Sequence, residues 1–328
     1  MPQLSLLDLV FVNDNQNEAD ALKSSVQVAQ TAERLGYSRI WVAEHHNMPA
    51  IASAATSVVI GHLAAHTERI RIGAGGIMLP NHSPLSIAEQ FGTLESLFPN
   101  RIDLGLGRAP GTDQRTMRAL RTDIRSSERF PDDVLELQKL LSNKGANEPI
   151  VATPGFGTQV PLWILGSSTF GAQLAAHFGL PYAFASHFAP DAFDQAIDHY
   201  RNKFSPSEQQ DKPYFMLGVN IIIADTDEEA QYLASSQRQS FVNLRRGHKL
   251  KFQPPIEDMN TFWNEPEKIM AEHMLKFSFV GSKQTVQTQL RSFINKYQPN
   301  ELMVVTSIYD LEKKMRSLEL LSEIDLSL

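Results

Sequence analysis

The sequence has no cysteine among its 328 residues. This absence excludes disulfide bonds, thiolate nucleophiles and metal sites with cysteine ligands. The sequence also lacks an apolar run of about 18 residues, the length that spans a bilayer, and a basic segment followed by an apolar one that would indicate secretion. Its formal net charge of -7 offers no basic face to a phosphate backbone. We therefore expect a cytoplasmic protein that binds neither a membrane nor nucleic acid.

The order of apolar segments predicts an α/β fold. Hydrophobic residues make up 42% of the chain, enough for a sizeable core, and strand-length apolar segments alternate with segments of helical spacing. The predicted strands cover residues 4–12, 39–43, 70–79, 102–106, 162–165, 182–185, 216–223 and 302–305. Such alternation predicts a parallel sheet, and eight strands favour a closed (β/α)8 TIM barrel. An open, doubly wound sheet is the alternative.

We expect one domain over residues 1–328, because α/β barrels of this size are common. Two stretches are too long to be simple connections, residues 108–161 and residues 247–265. Long insertions in the loops of the C-terminal face of a barrel often become lids or substrate walls. The predicted fold is therefore a barrel elaborated on its catalytic face.

The segment Trp41-Val42-Ala43-Glu44-His45-His46 is an apolar strand that ends in a carboxylate and two imidazoles. The C-terminal ends of strands are where barrel enzymes place their chemistry. Adjacent histidines fit neither the spacing of a strand-borne metal site nor that of a helical one, and we predict no metal. Two interpretations stay open. The histidines cap the strand by bonding loop backbone, or one of them is a base or donor held near a ligand by Glu44 or its neighbours.

Residues 73–80, Gly-Ala-Gly-Gly-Ile-Met-Leu-Pro, place three glycines in a predicted strand. Glycine is unfavourable inside a strand unless the backbone bulges or something approaches it closely. One interpretation is a flat ligand pressed against the backbone. The other is a tight corner in which larger side chains of the barrel would collide.

Two candidate phosphate-binding segments follow neighbouring predicted strands. Arg108 ends the fourth strand and is suited to a bidentate contact with a phosphate. Gly166-Ser167-Ser168 ends the fifth strand and opens a helix, where backbone N–H groups favour an anion. A surface arginine and ordinary capping by serine are the alternatives. Neither segment matches a Walker loop or a dinucleotide fingerprint, so their adjacency favours a mononucleotide.

Taken together and in this order, the segments resemble the bacterial luciferase-like flavin-dependent monooxygenases. The resemblance covers nearly the whole chain, and the combination of motifs is highly specific. It is carried by Glu44-His45-His46, residues 73–80, Asn81-His82-Ser83-Pro84, residues 101–108, Gly166-Ser167-Ser168 and residues 178–181.

The resemblance implies site residues. His45 matches the catalytic histidine, with Glu44 beside it, and Gly75 and Gly76 match a pair that forms a non-prolyl cis peptide under the flavin ring. The other implied cofactor-binding residues are Met78, Arg108, Gly166, Ser167 and Ser168. Gly107 stands where the luciferase subunit has a cysteine, so light emission and aldehyde preference are not implied.

The resemblance also implies an activity. Reduced FMN, supplied by diffusion from a separate flavin reductase, would react with O2 and oxygenate a small organic substrate in a homodimeric enzyme. A deazaflavin-dependent oxidoreductase on the same barrel and a non-catalytic flavin-binding protein are the alternatives. His187 is a weaker candidate for the wall of the substrate pocket, with a plain loop histidine as the alternative.

Overall fold

Nine strands form one sheet in the computed structural model, which describes residues 1–109, 113–145 and 149–327. Pro110 and Gly111, in the predicted insertion 108–161, lie outside the described residues. The strands are β1 (Gln3–Asp8), β2 (Arg39–Val42), β3 (Arg71–Met78), β4 (Ile102–Gly107), β5 (Leu162–Gly166), β6 (Tyr182–Phe184), β7 (Phe215–Ala224), β8 (Ser278–Ser282) and β9 (Glu301–Val305).

Helices connect the strands. The α-helices are α1 (Glu18–Arg34), α2 (Thr56–Ala65), α3 (Pro84–Leu97), α4 (Gln114–Ala119), α5 (Phe130–Leu141), α6 (Thr169–Phe178), α7 (Phe193–Lys203), α8 (Asp227–Arg245), α9 (Glu265–Met274), α10 (Lys283–Tyr297) and α11 (Leu311–Ser322). Local sequence sets their ends: Asn17 and Asp20 form a capping box at the start of α1, and Gly36, at φ +80°, follows its end. Across the described ranges, none of these helices is both long and apolar enough to cross a bilayer.

Eight of the strands close into a parallel barrel. β1 to β6 pair in chain order, β6 pairs with β7, β7 pairs with β9, and β9 returns to β1. The predicted (β/α)8 TIM barrel is confirmed, and all eight predicted strands belong to it. Because the strands are parallel, their carboxyl ends share one rim. Of the two long insertions, the first follows β4 directly and the second follows α8, the helix after β7.

The sequence analysis did not predict β8. Among the described residues, β8 pairs with β7 alone. The ten residues of β7 extend beyond the barrel, and the pairing joins residues 220–224 to residues 278–282. The first part of β7, residues 215–220, contacts β6 and β9 inside the barrel wall. The second part would have unpaired backbone groups without a further strand, and β8 provides their partners.

Side chains fill the barrel interior in layers. Charged groups lie at the amino ends of the strands, where Arg39 donates to Asp103 at 2.6 Å and to Glu301 at 2.8 Å. Above them Trp41 and Trp163 meet edge to face, with ring centroids 5.2 Å apart. The barrel is therefore closed at its amino end, and only the carboxyl rim is left for a ligand.

Candidate active site

A buried carboxylate, that of Glu44, joins the ends of β2 and β3. Glu44 lies two residues after β2, is 1% exposed, and its N–H donates to Gly76 O at 3.1 Å. Four donors reach the carboxylate oxygens: His46 Nε2 (2.8 Å), Met78 N (2.9 Å), His82 Nε2 (2.9 Å) and Asn81 Nδ2 (3.0 Å). Three of these donors belong to residues 78–82, so Glu44 holds the chain that leaves β3.

The same hydrogen bonds keep Glu44 ionised. Burial by itself would raise the pKa of this carboxyl, but the hydrogen bond from His82, its charge, and the donors Asn81 and Met78 outweigh burial. The net effect lowers the pKa of Glu44 below its ordinary value of 4.5. An ionised carboxylate that already accepts four hydrogen bonds is suited to position its neighbours rather than to exchange a proton.

His45 points away from this network. In the described part of the chain, its Nδ1 is buried and has no hydrogen-bond partner. Burial lowers the pKa of His45, and the nearby His46 lowers it further, against the opposing effects of the Ala43 backbone and Glu44. The pKa of His45, lowered from its ordinary value of 6.5, keeps the imidazole neutral at pH 7. A hydrogen bond between the ring and the Ala43 backbone is what strand capping predicts, so both interpretations of His45 stay predictions.

A second buried imidazole, that of His187, lies near His45. Burial, and the nearby His45, lower the pKa of His187 to about 3, so the two rings are close enough to interact electrostatically. Its Nδ1 also has no hydrogen-bond partner among the described residues. A Cβ at Gly218 on β7 would lie 2.4 Å from that atom. The glycine therefore makes room for an imidazole that sequence analysis ranked as a weaker candidate.

The Gly75–Gly76 peptide bond is cis, as the family resemblance implies. Packing accounts for both glycines, because a Cβ at Gly75 would lie 2.9 Å from Trp41 Cε3 and one at Gly76 would lie 2.7 Å from Gly105 O. The tight-corner interpretation is thus confirmed. The interpretation with a flat ligand stays a prediction.

Met78 lies between the glycine pair and Arg108. Its N–H is held by Glu44, and its Sδ would lie 2.8 Å from a Cβ placed at Gly107. A side chain at position 107, such as the cysteine of the luciferase subunit, would require Met78 to move. Gly107, where this chain departs from the family pattern, therefore leaves the space that the Met78 side chain occupies.

The two candidate phosphate-binding segments come together. β4 and β5 are paired, and the Arg108 guanidinium, just past β4, lies 3.9 Å from the ring centroid of Phe170 in the first turn of α6. Ser168 precedes α6, but within the described residues its side chain makes no capping hydrogen bond. The structure therefore does not support the alternative interpretation, in which the Ser168 side chain caps α6. Arg108 and the N-terminus of α6 form one positively polarised corner of the rim.

The two insertions meet above the rim. Asn47 Nδ2, just past the histidines, donates to Thr116 Oγ1 in α4 at 3.0 Å. Lys249, in the predicted loop 247–265, pairs with Asp113 at 2.9 Å. These contacts connect both insertions to the segment that follows Glu44; their role as walls of a substrate pocket stays a prediction.

Sequence analysis assigned no chemical role to His82 and Asn81. Both stand in the Asn-His-Ser-Pro segment between β3 and α3, and that polar segment at a strand end was the available signal. The structure makes them partners of Glu44. Among the residues that the structure describes, no group of three or more His, Asp or Glu side chains is arranged to hold a metal ion.

Comparison with known proteins identifies the family. The family model described as luciferase-like monooxygenase matches residues 4–296. The chain belongs to the luciferase-like monooxygenase family. A luciferase-like monooxygenase from Escherichia coli strain K12 is 49% identical over 98% of this chain and 96% of its own length. The N-acetyl-S-alkylcysteine monooxygenase of Bacillus subtilis is 32% identical over 98% of both chains.

One more distant relative is named as the oxygenase component of a monooxygenase. The oxygenase component of a flavin-dependent trigonelline monooxygenase from Acinetobacter baylyi is 22% identical over 94% of this luciferase-like chain and 90% of its own length.

Solved structures agree with the family assignment. The crystal structure of apo-MsnO8 has a TM-score of 0.92 and 34% identity, and the match covers 99% of this chain and 98% of that one. Two others share the fold at lower identity. They are a 3,6-diketocamphane monooxygenase component of Pseudomonas putida in complex with FMN (TM-score 0.75, 16% identity, 99% and 97% coverage) and an F420-dependent secondary alcohol dehydrogenase (TM-score 0.68, 15% identity, 99% and 98% coverage).

The position of Glu44 predicts a pH-dependent contribution to stability. Because its pKa is lowered in the folded state, its stabilisation is fully present above about pH 4.5 and is lost as the pH falls through the folded value. Glu44→Gln should lower the free energy of unfolding at pH 7 by about 1–3 kcal/mol, since buried donors lose a charged acceptor. We expect this difference to shrink on acidification, as measured by urea denaturation at pH 7 and at pH 4.

The matched control for that prediction is Glu68→Gln. The Glu68 side chain is 85% exposed, and its replacement should change stability little at either pH. A difference between wild type and Glu44→Gln that is constant with pH would contradict the assigned ionisation.

Proposed function

We propose that this luciferase-like protein is a flavin-dependent monooxygenase that uses reduced FMN and O2 to oxygenate a small organic substrate. The observation that carries the proposal is the pair of buried imidazoles, His45 and His187, whose Nδ1 atoms have no partner in the described part of the chain. His45 follows the carboxyl end of β2 and His187 that of β6, and Arg108 follows that of β4. Family membership and the monooxygenase names of the relatives support the reaction class.

The rim residues fit FMN. Gly75 and Gly76 present backbone without side chains, and Met78 adjoins them as an adaptable apolar contact for a ring. The Arg108 guanidinium and the backbone of Gly166, Ser167 and Ser168 would receive the phosphate. Bound reduced FMN supplies the electrons for oxygen activation, which no side chain of this chain can supply.

The protein's own part is to orient, shield and move protons. His45 is our candidate for the proton donor or acceptor, because a neutral imidazole that follows the carboxyl end of β2 can act as either. Glu44 acts through position, since it holds Met78 and the chain leaving β3 in place. The insertions that meet through Asp113 and Lys249 would exclude water from the rim.

A deazaflavin-dependent oxidoreductase is the second candidate, because the F420-dependent alcohol dehydrogenase shares the fold and F420 is a deazaflavin. A non-catalytic flavin-binding protein is the third. The unpartnered imidazoles argue against a carrier, which has no use for a buried proton donor beside the ring.

We propose a separate flavin reductase as partner and a homodimer as the assembly. The trigonelline relative is named as an oxygenase component, which supports a reductase on another chain. For the dimer, α2 and α3 pack together and expose Val58 and Leu97 at 70% and 64%. Sedimentation velocity, which reports the size of the assembly, tests the proposed homodimer directly.

Two flavins distinguish the three candidate functions. We expect FMN to bind more tightly than a deazaflavin in a fluorescence titration. When the reduced FMN complex is mixed with oxygen in a stopped-flow instrument, its reoxidation should proceed in two resolved phases, because a closed rim delays the return of the proton and of water. Tighter binding of the deazaflavin without oxygen uptake would instead indicate the dehydrogenase, and a single rapid phase would indicate a carrier.

His45→Ala should retain FMN affinity and slow the second phase of reoxidation about 100-fold, the lower range for loss of a general acid or base. The measurement is the same stopped-flow experiment at saturating reduced FMN. His62→Ala, on the exposed face of α2, is the control and should behave as wild type. An unchanged second phase in His45→Ala would remove His45 from the proton-transfer step.

Arg108→Ala should weaken FMN binding by tenfold to a hundredfold, because a charge-assisted contact contributes about 1.5–3 kcal/mol. Fluorescence titration of FMN measures the effect, and raised salt should weaken wild-type binding in the same direction. Arg69→Ala is the control, since Arg69 is exposed at the opposite end of the barrel. Wild-type affinity in Arg108→Ala would exclude Arg108 from the phosphate site.

A further inference from the structure

A cavity of about 280 Å³ lies outside the barrel rim, between α8, α9, β8 and α10. None of the residues proposed above to contact FMN or to move a proton lines it. The apolar lining residues are Leu275, Val280, the ring of Trp263 and two alanines, and the other lining residues are polar or charged. The volume suits a small organic molecule rather than a second flavin.

The charged residues in the cavity wall are two cations and one carboxylate. Arg238 and Lys276 are the cations, and Glu272 is the carboxylate. The Arg238 guanidinium donates to Gln231 Oε1 at 2.5 Å, and Glu272 acts on it electrostatically, but no described residue forms an ion pair with it. The cavity therefore has a net positive charge, and a half-buried guanidinium retains unused donors in it.

In the part of the chain that the structure describes, Trp263 contributes another donor without a partner to the residues of the wall. The indole Nε1 of Trp263 is buried and has no hydrogen-bond partner among the described residues. A buried N–H without an acceptor is unfavourable, so such groups usually mark a missing partner. Arg238, Lys276 and Trp263 can only donate through their side chains, and the missing partner must therefore be an acceptor.

The cavity wall is built into the fold near the active site without being part of it. Gln237 and Ser278 line the cavity, and both bond the side chain of Asn220, at 2.7 Å and 3.1 Å. Asn220 also donates to His187 O at 2.7 Å. The polar wall is thus fixed by hydrogen bonds, and a ligand there is separated from the rim by Asn220.

We propose that this cavity binds a small organic carboxylate with an apolar body. The carboxylate would accept a bidentate contact from Arg238 and a hydrogen bond from Trp263 Nε1, with Lys276 adding positive charge. The apolar body would lie against Leu275 and Val280. The proposal concerns binding alone and does not depend on the flavin chemistry proposed for the rim.

The probes are sodium hexanoate and its uncharged analogue hexan-1-ol, titrated into the full-length protein without flavin. We expect hexanoate to produce a saturable change in tryptophan fluorescence and hexan-1-ol to bind at least tenfold more weakly, because it cannot make the charge-assisted contact. Trp263→Phe should lose the fluorescence response, since Trp41 and Trp163 lie inside the barrel. Calorimetry on this variant shows whether binding itself also weakens.

Arg238→Gln should weaken hexanoate binding at least tenfold. Arg245→Gln, an exposed arginine of the same helix outside the cavity wall, is the matched control and should leave binding unchanged. Thermal unfolding of each variant verifies that it is folded. Absence of saturable hexanoate binding, equal binding by Arg238→Gln, or loss of binding in Arg108→Ala, which would locate the ligand at the rim, would each overturn the proposal.

Discussion

The buried carboxylate of Glu44 is the interaction on which the candidate site depends. It is the acceptor for two imidazoles, an amide and a backbone N–H that belong to different segments of the rim. Its own N–H holds the carbonyl of Gly76, so one residue connects the end of β2 to both sides of the glycine pair. Removing the charge would leave several buried donors without an acceptor, which is more unfavourable than losing any single hydrogen bond. The position of Met78 follows from this arrangement.

The closed amino end of the barrel explains why the chemistry is at the other end. Arg39 connects β2 to β4 and β9 through Asp103 and Glu301, and its guanidinium lies 4.8 Å from the ring centroid of Trp163. Buried charges of this kind are tolerated because each has an opposite charge and hydrogen bonds. The aromatic layer above them supports the glycine backbone from below, at the contact between Trp41 and Gly75. A ligand can approach that backbone only from the carboxyl rim.

Much of the fold could be predicted from local patterns, and the prediction failed where tertiary pairing decides. The eight barrel strands were identified because each combines an apolar run with a following helical pattern. The short strand Ser278–Ser282 was missed because it exists only to pair with the extended end of β7. In the site, the resemblance implied a cis peptide at the glycine pair, which the structure has, and a catalytic role for His45, which stays a prediction. His82 and Glu44 are 38 positions apart in the sequence, and no periodic pattern of residues indicates a contact between them.

By itself, the sequence determined the kind of protein. Its strand and helix periodicities specify a parallel barrel, its lack of cysteine removes whole classes of chemistry, and its motifs identify the family. Only the tertiary structure decided which of the polar residues share a site and which are left without partners. Burial and hydrogen-bond satisfaction depend on segments far apart in the chain, and they made Glu44 a fixed anion and left His45, His187 and Trp263 with unused nitrogens.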